Sequence, residues 1–363
     1  MAKRVSADKW LFSVTLLLVF IGLVMVFSAS AVIAKERFGS PYNFLLRQFV
    51  WAIGGMISMF ILMNVDYKRY KAPAVVFSFL GITTILLLAV FALDRSHNTH
   101  RWLKLGAFSF QPSELAKPAL ILFLAYFLET RTKTIKDWRH TLLPAVIPTV
   151  IFTALIVAEP DLGTAIMCWA ITGAVLFAAG MQFRYYGYAA LAAMLPLWVL
   201  IFRTPWRYKR ILAFIDPYAD PLGTGFHIIQ SLIAVGTGGV TGLGLMEGKQ
   251  KLFYLPEPQT DFIFAVISEE FGLIGSVAVV LLFGIFCWRG LRAAINTRDN
   301  YARFLVSGIT AMVVIQAFFN ISVVLGLLPT KGIPLPFISS GGSSLFVTLA
   351  SVGVLLNITQ QTD

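Results

Sequence analysis

Charge is the scarcest ingredient of this sequence. Only 13% of its 363 residues are Asp, Glu, Lys or Arg, about half the share with which a soluble domain covers its surface. That excludes an ordinary soluble globular protein. Cysteine is almost absent, and Cys168 and Cys287 each sit inside an apolar run, which excludes a disulfide framework and a thiolate metal site. Histidine is equally sparse. His97 and His100, in HNTHRW, have no third His or Cys nearby and read as polar loop residues, so no metal is assigned to them. The glycine run GTGGVTGLG lacks the spacing, the preceding strand and the βαβ context of a nucleotide-binding loop. Internal repeats and low-complexity segments are missing too.

Apolar residues make up 58% of the chain, gathered in repeated runs near twenty residues long. Such runs expect lipid as their solvent. The sequence predicts an all-α integral membrane protein of about ten transmembrane helices, at 11–33, 48–64, 73–93, 114–129, 142–158, 161–180, 187–203, 262–287, 303–326 and 344–358. The N-terminal MAKRVSADKW precedes a long apolar stretch without a small-residue cleavage site, so the first span is read as uncleaved.

The net charge of +11 does not indicate nucleic acid, because the basic residues are scattered over many short connections. Ten spans place both termini on one side. With that side cytoplasmic, the inward segments hold fifteen Lys and Arg residues and the short outward ones seven, as the positive-inside rule requires. The outward set is Lys35, Arg37, Arg47, Arg95, Arg101, Lys104 and Lys331.

One outward connection, 204–261, is much longer than the rest and divides spans 7 and 8. It opens with PWRYKRILAFIDPYADP, whose aromatic and aliphatic residues suit a membrane interface while Arg207, Lys209 and Arg210 face phosphates or water. GFHIIQSLIAVGTGG is apolar but too short to span, which predicts a re-entrant or interfacial segment packed on protein or a water-filled cavity.

Ionisable residues near a membrane need a partner or a purpose, and four groups stand at outward helix ends. Asp261, in LPEPQTDFIFAVISEE, follows two helix-breaking prolines; it is placed either to cap the next helix, as Thr260 would equally, or to accept a proton from a sugar hydroxyl. Glu269 and Glu270 come further down the same helix. At about 1.5 Å and 100° per residue, Glu269 lies about 12 Å from Asp261 along the axis and Glu270 on the opposite side, so a bonding role inside the bundle is expected for both. Glu114 and Lys117, in FQPSELAK, share one helix face as a structural ion pair or as a phosphate-binding lysine oriented by its carboxylate. Glu159-Pro160-Asp161 forms a tight turn able to cap a helix or to organise a cation. PTKGIPLPFISSGGSSL carries Lys331 and the hydroxyls of Ser339, Ser340, Ser343 and Ser344 on a chain that its prolines and glycines keep out of regular helix. Gln316 and Asn320, one turn apart in a span, read as interhelical hydrogen-bonders.

The strings HNTHRWLKLGAFSFQPSELAK, EPDLGTA, QSLIAVGTGG, KQKLFYLPEPQTDFIFAVISEEFGLIG and PTKGIPLPFISSGGSSL closely resemble the SEDS proteins of bacterial shape, elongation, division and sporulation, in matching order over nearly the whole chain. KQKLFYLPEP and MVFSASAV look more like the division branch than the elongation branch. The resemblance implies a single SEDS membrane domain over 1–363, with a GT-C-like fold of ten helices and a long extracytoplasmic loop between spans 7 and 8. It also implies a peptidoglycan glycosyltransferase of the inner membrane that polymerises lipid II beside a class B penicillin-binding protein and divisome proteins at the septum. Asp261 would be the essential carboxylate. Glu114, Lys117, Arg101, Asp161, Lys249, Lys331, Ser339 and Ser343 would bind the substrate and its pyrophosphate or support them. Gln259, Ser268 and Ser340 depart from the frequent histidine, glycine and tyrosine.

The implied reaction joins the 4-hydroxyl of an acceptor N-acetylglucosamine to C1 of a donor N-acetylmuramic acid. One displacement with inversion needs one base, and the leaving undecaprenyl pyrophosphate needs positive charge. No cofactor is assigned; a divalent cation, Mg or Mn, could assist, but the sequence shows no ligand set specific to one. Two other classes fit an embedded, charged, loop-rich chain: a lipid flippase or transporter, and a non-catalytic scaffold for the penicillin-binding protein.

Overall fold

The computed structural model describes residues 7–94, 101–105, 108–135, 137–252 and 254–361. His97 and His100 lie outside the described residues. In chain order the elements are α1 (Lys9–Phe38), α2 (Asn43–Asn64), α3 (Pro73–Leu93), β1 (Leu103–Leu105), β2 (Phe108–Phe110), α4 (Pro112–Glu129), α5 (Leu143–Ala158) and α6 (Leu162–Ala178). There follow α7 (Phe183–Phe202), α8 (Pro205–Ile215), α9 (Phe226–Thr237), α10 (Ile263–Asn296), α11 (Asn300–Val324) and α12 (Gly342–Thr359). The ten predicted spans coincide with α1–α7 and α10–α12, and the chain is a multi-pass membrane protein.

Among the described residues, eight helices are long and apolar enough to cross a membrane. α4 and α6 fall outside that set, α4 because Glu114, Lys117 and Glu129 interrupt its apolar sequence and α6 because it has only 17 residues, whereas α5 is extended to 21 residues by the helical turn Trp138–Leu142 that leads into it. Both are central, packing on α11, whose side chains are buried along most of its length. A helix enclosed by protein can carry charge that a lipid-facing helix cannot. α7 is the opposite case: apolar, and without one buried residue.

α10 is broken at Gly272, which adopts φ 62° and ψ −157°. A break inside a membrane frees backbone groups that must find partners. The loop after α9 supplies them: Leu243 N–H donates to Glu269 O (3.0 Å), Gly244 N–H to Glu270 O (3.0 Å), Leu273 N–H to Gly239 O (2.9 Å) and Ile274 N–H to Val240 O (3.2 Å). A Cβ at 272 would stand 2.4 Å from Gly242 N, so only glycine permits this close docking.

The two glutamates beside the break hold the same loop. Glu269 accepts from the backbone N–H groups of Lys249 (2.8 Å) and Gln250 (3.1 Å). Glu270 pairs with Lys251 at 2.5 Å and accepts from Ser28 Oγ of α1 at 2.6 Å. Both carboxylates therefore bond inside the bundle, as expected. They fix Ile263–Glu270, and through it the turn just before α10.

Candidate active site

That turn carries Asp261. The helix begins only at Ile263, and its N-cap, Phe262, makes no side-chain cap bond. Neither Asp261 nor Thr260 caps α10; the Thr260 hydroxyl donates to Glu257 O (3.2 Å) instead. The capping alternative for Asp261 is set aside. Among the described residues no hydrogen bond or ion pair engages its carboxylate, although its backbone is held firmly. Asn320 of α11 donates to Asp261 O (2.8 Å), and Ser339 Oγ donates to Thr260 O (2.6 Å). Burial and then the Glu257 carboxylate push the Asp261 carboxyl up to about 6, against the pull of Arg210 and Arg101. A group of this kind is a base near neutral pH.

Asp261 opens into a cavity of about 270 Å³. Its walls come from the segment before α4 (Arg101, Trp102, Gln111), from α4 (Glu114, Lys117), from the start of α6 (Asp161, Thr164), from α11 (Gln316), from the chain between α11 and α12 (Gly332, Pro334, Ser340) and from the first turn of α12 (Ser343). Four of the sequence groups thus meet in one space. Gly332 abuts the base directly: a Cβ there would be 2.6 Å from Asp261 Oδ2.

Across this space Lys117 Nζ contacts Glu114 Oε2 and Gln316 Oε1, each at 2.8 Å. The pair is deeply buried, with Glu114 4% and Lys117 2% exposed. Such a pair is held by its mutual attraction and further hydrogen bonds, because losing either charge strands the other. Arg101 is anchored through its own backbone and side chain. Its N–H donates to Asp94 Oδ2 (3.0 Å), Nε to Glu159 O (2.9 Å) and Nη2 to Pro160 O (2.5 Å). Asp161 caps α6, accepting from the Thr164 backbone N–H (3.3 Å), and also accepts from Thr164 Oγ1 (2.7 Å) and Gln111 Nε2 (3.3 Å). It serves structure and lines the cavity at once.

Lys331 stands behind the wall, its stem passing over Gly163 and its buried ammonium without a hydrogen-bond partner among the described residues. Burial lowers its pKa to about 7, Asp161 opposes that, and Arg207, Arg210 and Arg101 reinforce it. The two α8 arginines flank one ring, 4.9 and 5.2 Å from the centre of Trp206, and Arg210 also reaches Thr330 O at 3.5 Å. Neither arginine lines the cavity, but the charge of Arg210 is felt at Asp261. Glu159 next door is wholly buried with both oxygens unpartnered among the described residues; burial, then Asp161, raises it to about 8, so it is largely protonated at pH 7.

Two assigned residues fall elsewhere. Lys249 is exposed and off the cavity wall, and its backbone N–H, not its ammonium, is used, by Glu269. The Ser339 hydroxyl is engaged within the fold, accepting from Leu335 N–H (2.8 Å) and donating to Thr260 O, which makes it a pin for the Asp261 turn. Ser343 does line the cavity and accepts from Gln111 N–H at 3.4 Å. Sequence reasoning missed Gln111, Thr164 and Gly332 altogether. It saw Gln316 and Asn320 only as helix-to-helix bonds, although two amides one turn apart in a span were a legible signal.

The family model for cell cycle proteins of the FtsW, RodA and SpoVE type matches residues 8–363. The chain belongs to this family. Within it, the chain is 44% identical over 361 residues to stage V sporulation protein E of Bacillus subtilis, covering 99% of this chain and 98% of that one. It is 46% identical over 354 residues to a probable peptidoglycan glycosyltransferase FtsW of Geobacter sp., covering 97% and 96%. Solved members share the fold. A chain in a peptidoglycan synthase complex that coordinates polymerization and crosslinking matches with TM-score 0.79 at 30% identity, covering 98% of both chains. The rod shape determining protein RodA of Thermus thermophilus matches with TM-score 0.73 at 27% identity, covering 99% and 98%. The integral-membrane SEDS fold expected from the sequence is the fold found.

The residues present do not form a self-contained divalent-cation site: among the described residues, no three His, Cys, Asp or Glu side chains come together as ligands.

Proposed function

We propose that this chain is a peptidoglycan glycosyltransferase that polymerises lipid II into β-1,4-linked glycan, working as one membrane domain with 204–261 on the extracytoplasmic face. The observation that carries the reading is an unbonded carboxylate sharing one cavity with Lys117 and Arg101, with Lys331 behind its wall. The acceptor 4-hydroxyl attacks C1 of the donor sugar as its proton passes to the Asp261 carboxylate. The C1–O bond to the pyrophosphate breaks, and the bonding pair leaves with undecaprenyl pyrophosphate. Lys117, Arg101 and Lys331 meet the charge that develops there; positioned cations stabilise such a leaving group without having to donate a proton. Asp261 must then release its proton to water before the next addition.

The orientation rests on the charge count. The ends of the helices that bound the cavity are those the positive-inside rule turns away from the cytoplasm, so both termini are cytoplasmic and the site opens outward. A class B penicillin-binding protein is the partner this activity calls for. Similar identity to a sporulation protein and to division proteins suits septal synthesis of either kind. Localising a tagged copy through the cell cycle separates the two.

The deciding experiment incubates the purified protein and its partner, transpeptidation blocked, with labelled lipid II in detergent. Glycan chains that vanish with Asp261→Ala support the proposal. Translocation in vesicles without chains would make the protein a flippase, and neither activity would leave a scaffold.

A further inference from the structure

We propose that Gln316 and Asn320 act as a positioning clamp, using one turn of α11 as a ruler that sets where the Asp261 carboxylate stands relative to Lys117 and Lys331. This rests on the glycosyltransferase reading for its kinetic consequences, but the geometry has its own support. Gln316 Oε1 accepts from Lys117 Nζ (2.8 Å), and its Nε2 donates to Pro334 O (2.9 Å). One turn on, the Asn320 amide nitrogen donates to Asp261 O (2.8 Å) and to Ile333 O (2.7 Å). Each amide therefore ties the Lys331–Pro334 segment to a second part of the site: Gln316 to α4, Asn320 to the Asp261 turn.

Amides in membrane helices usually bond to neighbouring helices. These two bond mainly to irregular backbone at the site, and both side chains are almost fully buried, at 2% exposed. The direction of the Asn320 amide follows from its partners. Both are carbonyl oxygens, so only the NH₂ group satisfies them, and rotation by half a turn would set oxygen against oxygen. α11 between the two residues is unbroken helix, about 6 Å of axial rise. A rigid element thus fixes two heights: Lys117 with Pro334, and Asp261 with Ile333.

Asparagine-to-aspartate is the informative change, since it keeps shape and volume but removes both donors. Asn320→Asp and Asn320→Ala should each lower kcat by about 10- to 100-fold, the effect of displacing a reacting group by roughly an ångström, while KM for lipid II stays within about threefold. The acid limb of the pH–rate profile should also move, because Asp261 changes its distance from Glu257 and the arginines. Thr149→Val is the comparison. It removes a buried Thr149–Thr172 hydrogen bond of 2.9 Å between residues that do not line the cavity, and should lower the melting temperature yet leave kcat and the profile alone. An independent arm uses no substrate: hydrogen–deuterium exchange in Asn320→Asp should rise in 254–263 and 331–336 and remain unchanged in α5 and α6. Wild-type kcat and pH profile in Asn320→Asp would overturn the clamp, as would a loss that merely follows the folded fraction. If the wild-type protein makes no glycan, the function assignment fails while the exchange arm still decides the clamp: localised loosening supports it and unaltered exchange refutes it.

Discussion

The pH profile of kcat/KM offers a demanding test, because two groups of opposite charge type titrate close together. On the proposed mechanism the working free enzyme needs Asp261 ionised and Lys331 protonated. Burial brings the first up to about 6 and the second down to about 7, so the apparent values belong to the coupled site. The fraction in the working form then peaks at about 60% near pH ~6.5 and falls to about 10% at both pH ~5 and pH ~8. The signs of the variants follow from the causes. Glu257 raises the Asp261 carboxyl, so Glu257→Gln should shift the acid limb to lower pH; were the carboxyl to fall to about 5, the rate at pH ~5 would rise about fivefold. Lys331→Met should abolish the basic limb and depress kcat/KM throughout. Bound pyrophosphate should hold Lys331 protonated, moving the basic limb of kcat above that of kcat/KM. Initial rates of glycan formation from labelled lipid II, with ionic strength fixed from pH 5 to 9, give all of these. A flat profile from pH 5 to 8, or an acid limb that Glu257→Gln shifts upward, would refute the assignment of these two groups.

Other outcomes follow from single contacts. Gly332→Ala puts a methyl 2.6 Å from Asp261 Oδ2; it should reduce kcat by about 100-fold with little change in melting temperature, measured on the same purified sample. Asp261→Asn should be inactive yet more stable at pH 7, by up to about 3 kcal/mol. A carboxylate with a raised pKa favours the fold only below about pH 4 and loses that contribution as pH rises through about 6, so the gain should shrink in acid unfolding experiments. Glu159→Gln replaces a largely protonated carboxyl by a neutral group of the same shape. Activity at pH 7 should stay within about twofold, and the wild type alone should lose stability progressively as pH rises from 4.5 to about 8. Glu270→Gln strands the Lys251 ammonium and should destabilise by about 3–5 kcal/mol, whereas Lys251→Met with Glu270→Leu should be milder; thermal unfolding in detergent reads both.

The membrane helices were legible because lipid demands long apolar runs, and those runs survive in sequence order. Asp261 was legible for a related reason: a carboxylate after Pro256 and Pro258 is conspicuous next to an apolar helix. What sequence could not supply was assembly. Lys249 and Lys331 look alike in a linear chain, yet one ends exposed and the other buried behind the cavity wall. Gln316 reads as helix glue until Pro334 and Lys117 are seen to converge on it. The β1–β2 hairpin escaped notice because its strands are three residues each, too short for an alternating pattern to emerge. The break in α10 was hidden because a single glycine inside a long helical pattern does not by itself mark a break, even with Glu269 and Glu270 standing directly before it.

That interrupted helix changes what α10 can transmit. Continuous helices carry force along their own hydrogen bonds; here the outer piece is laced sideways into residues 239–251. A protein that grips this loop from outside the membrane would thereby tug on the catalytic turn without moving the inner half of α10. In this chain, then, residues 239–251 are coupled to a helical piece whose start lies two residues from Asp261.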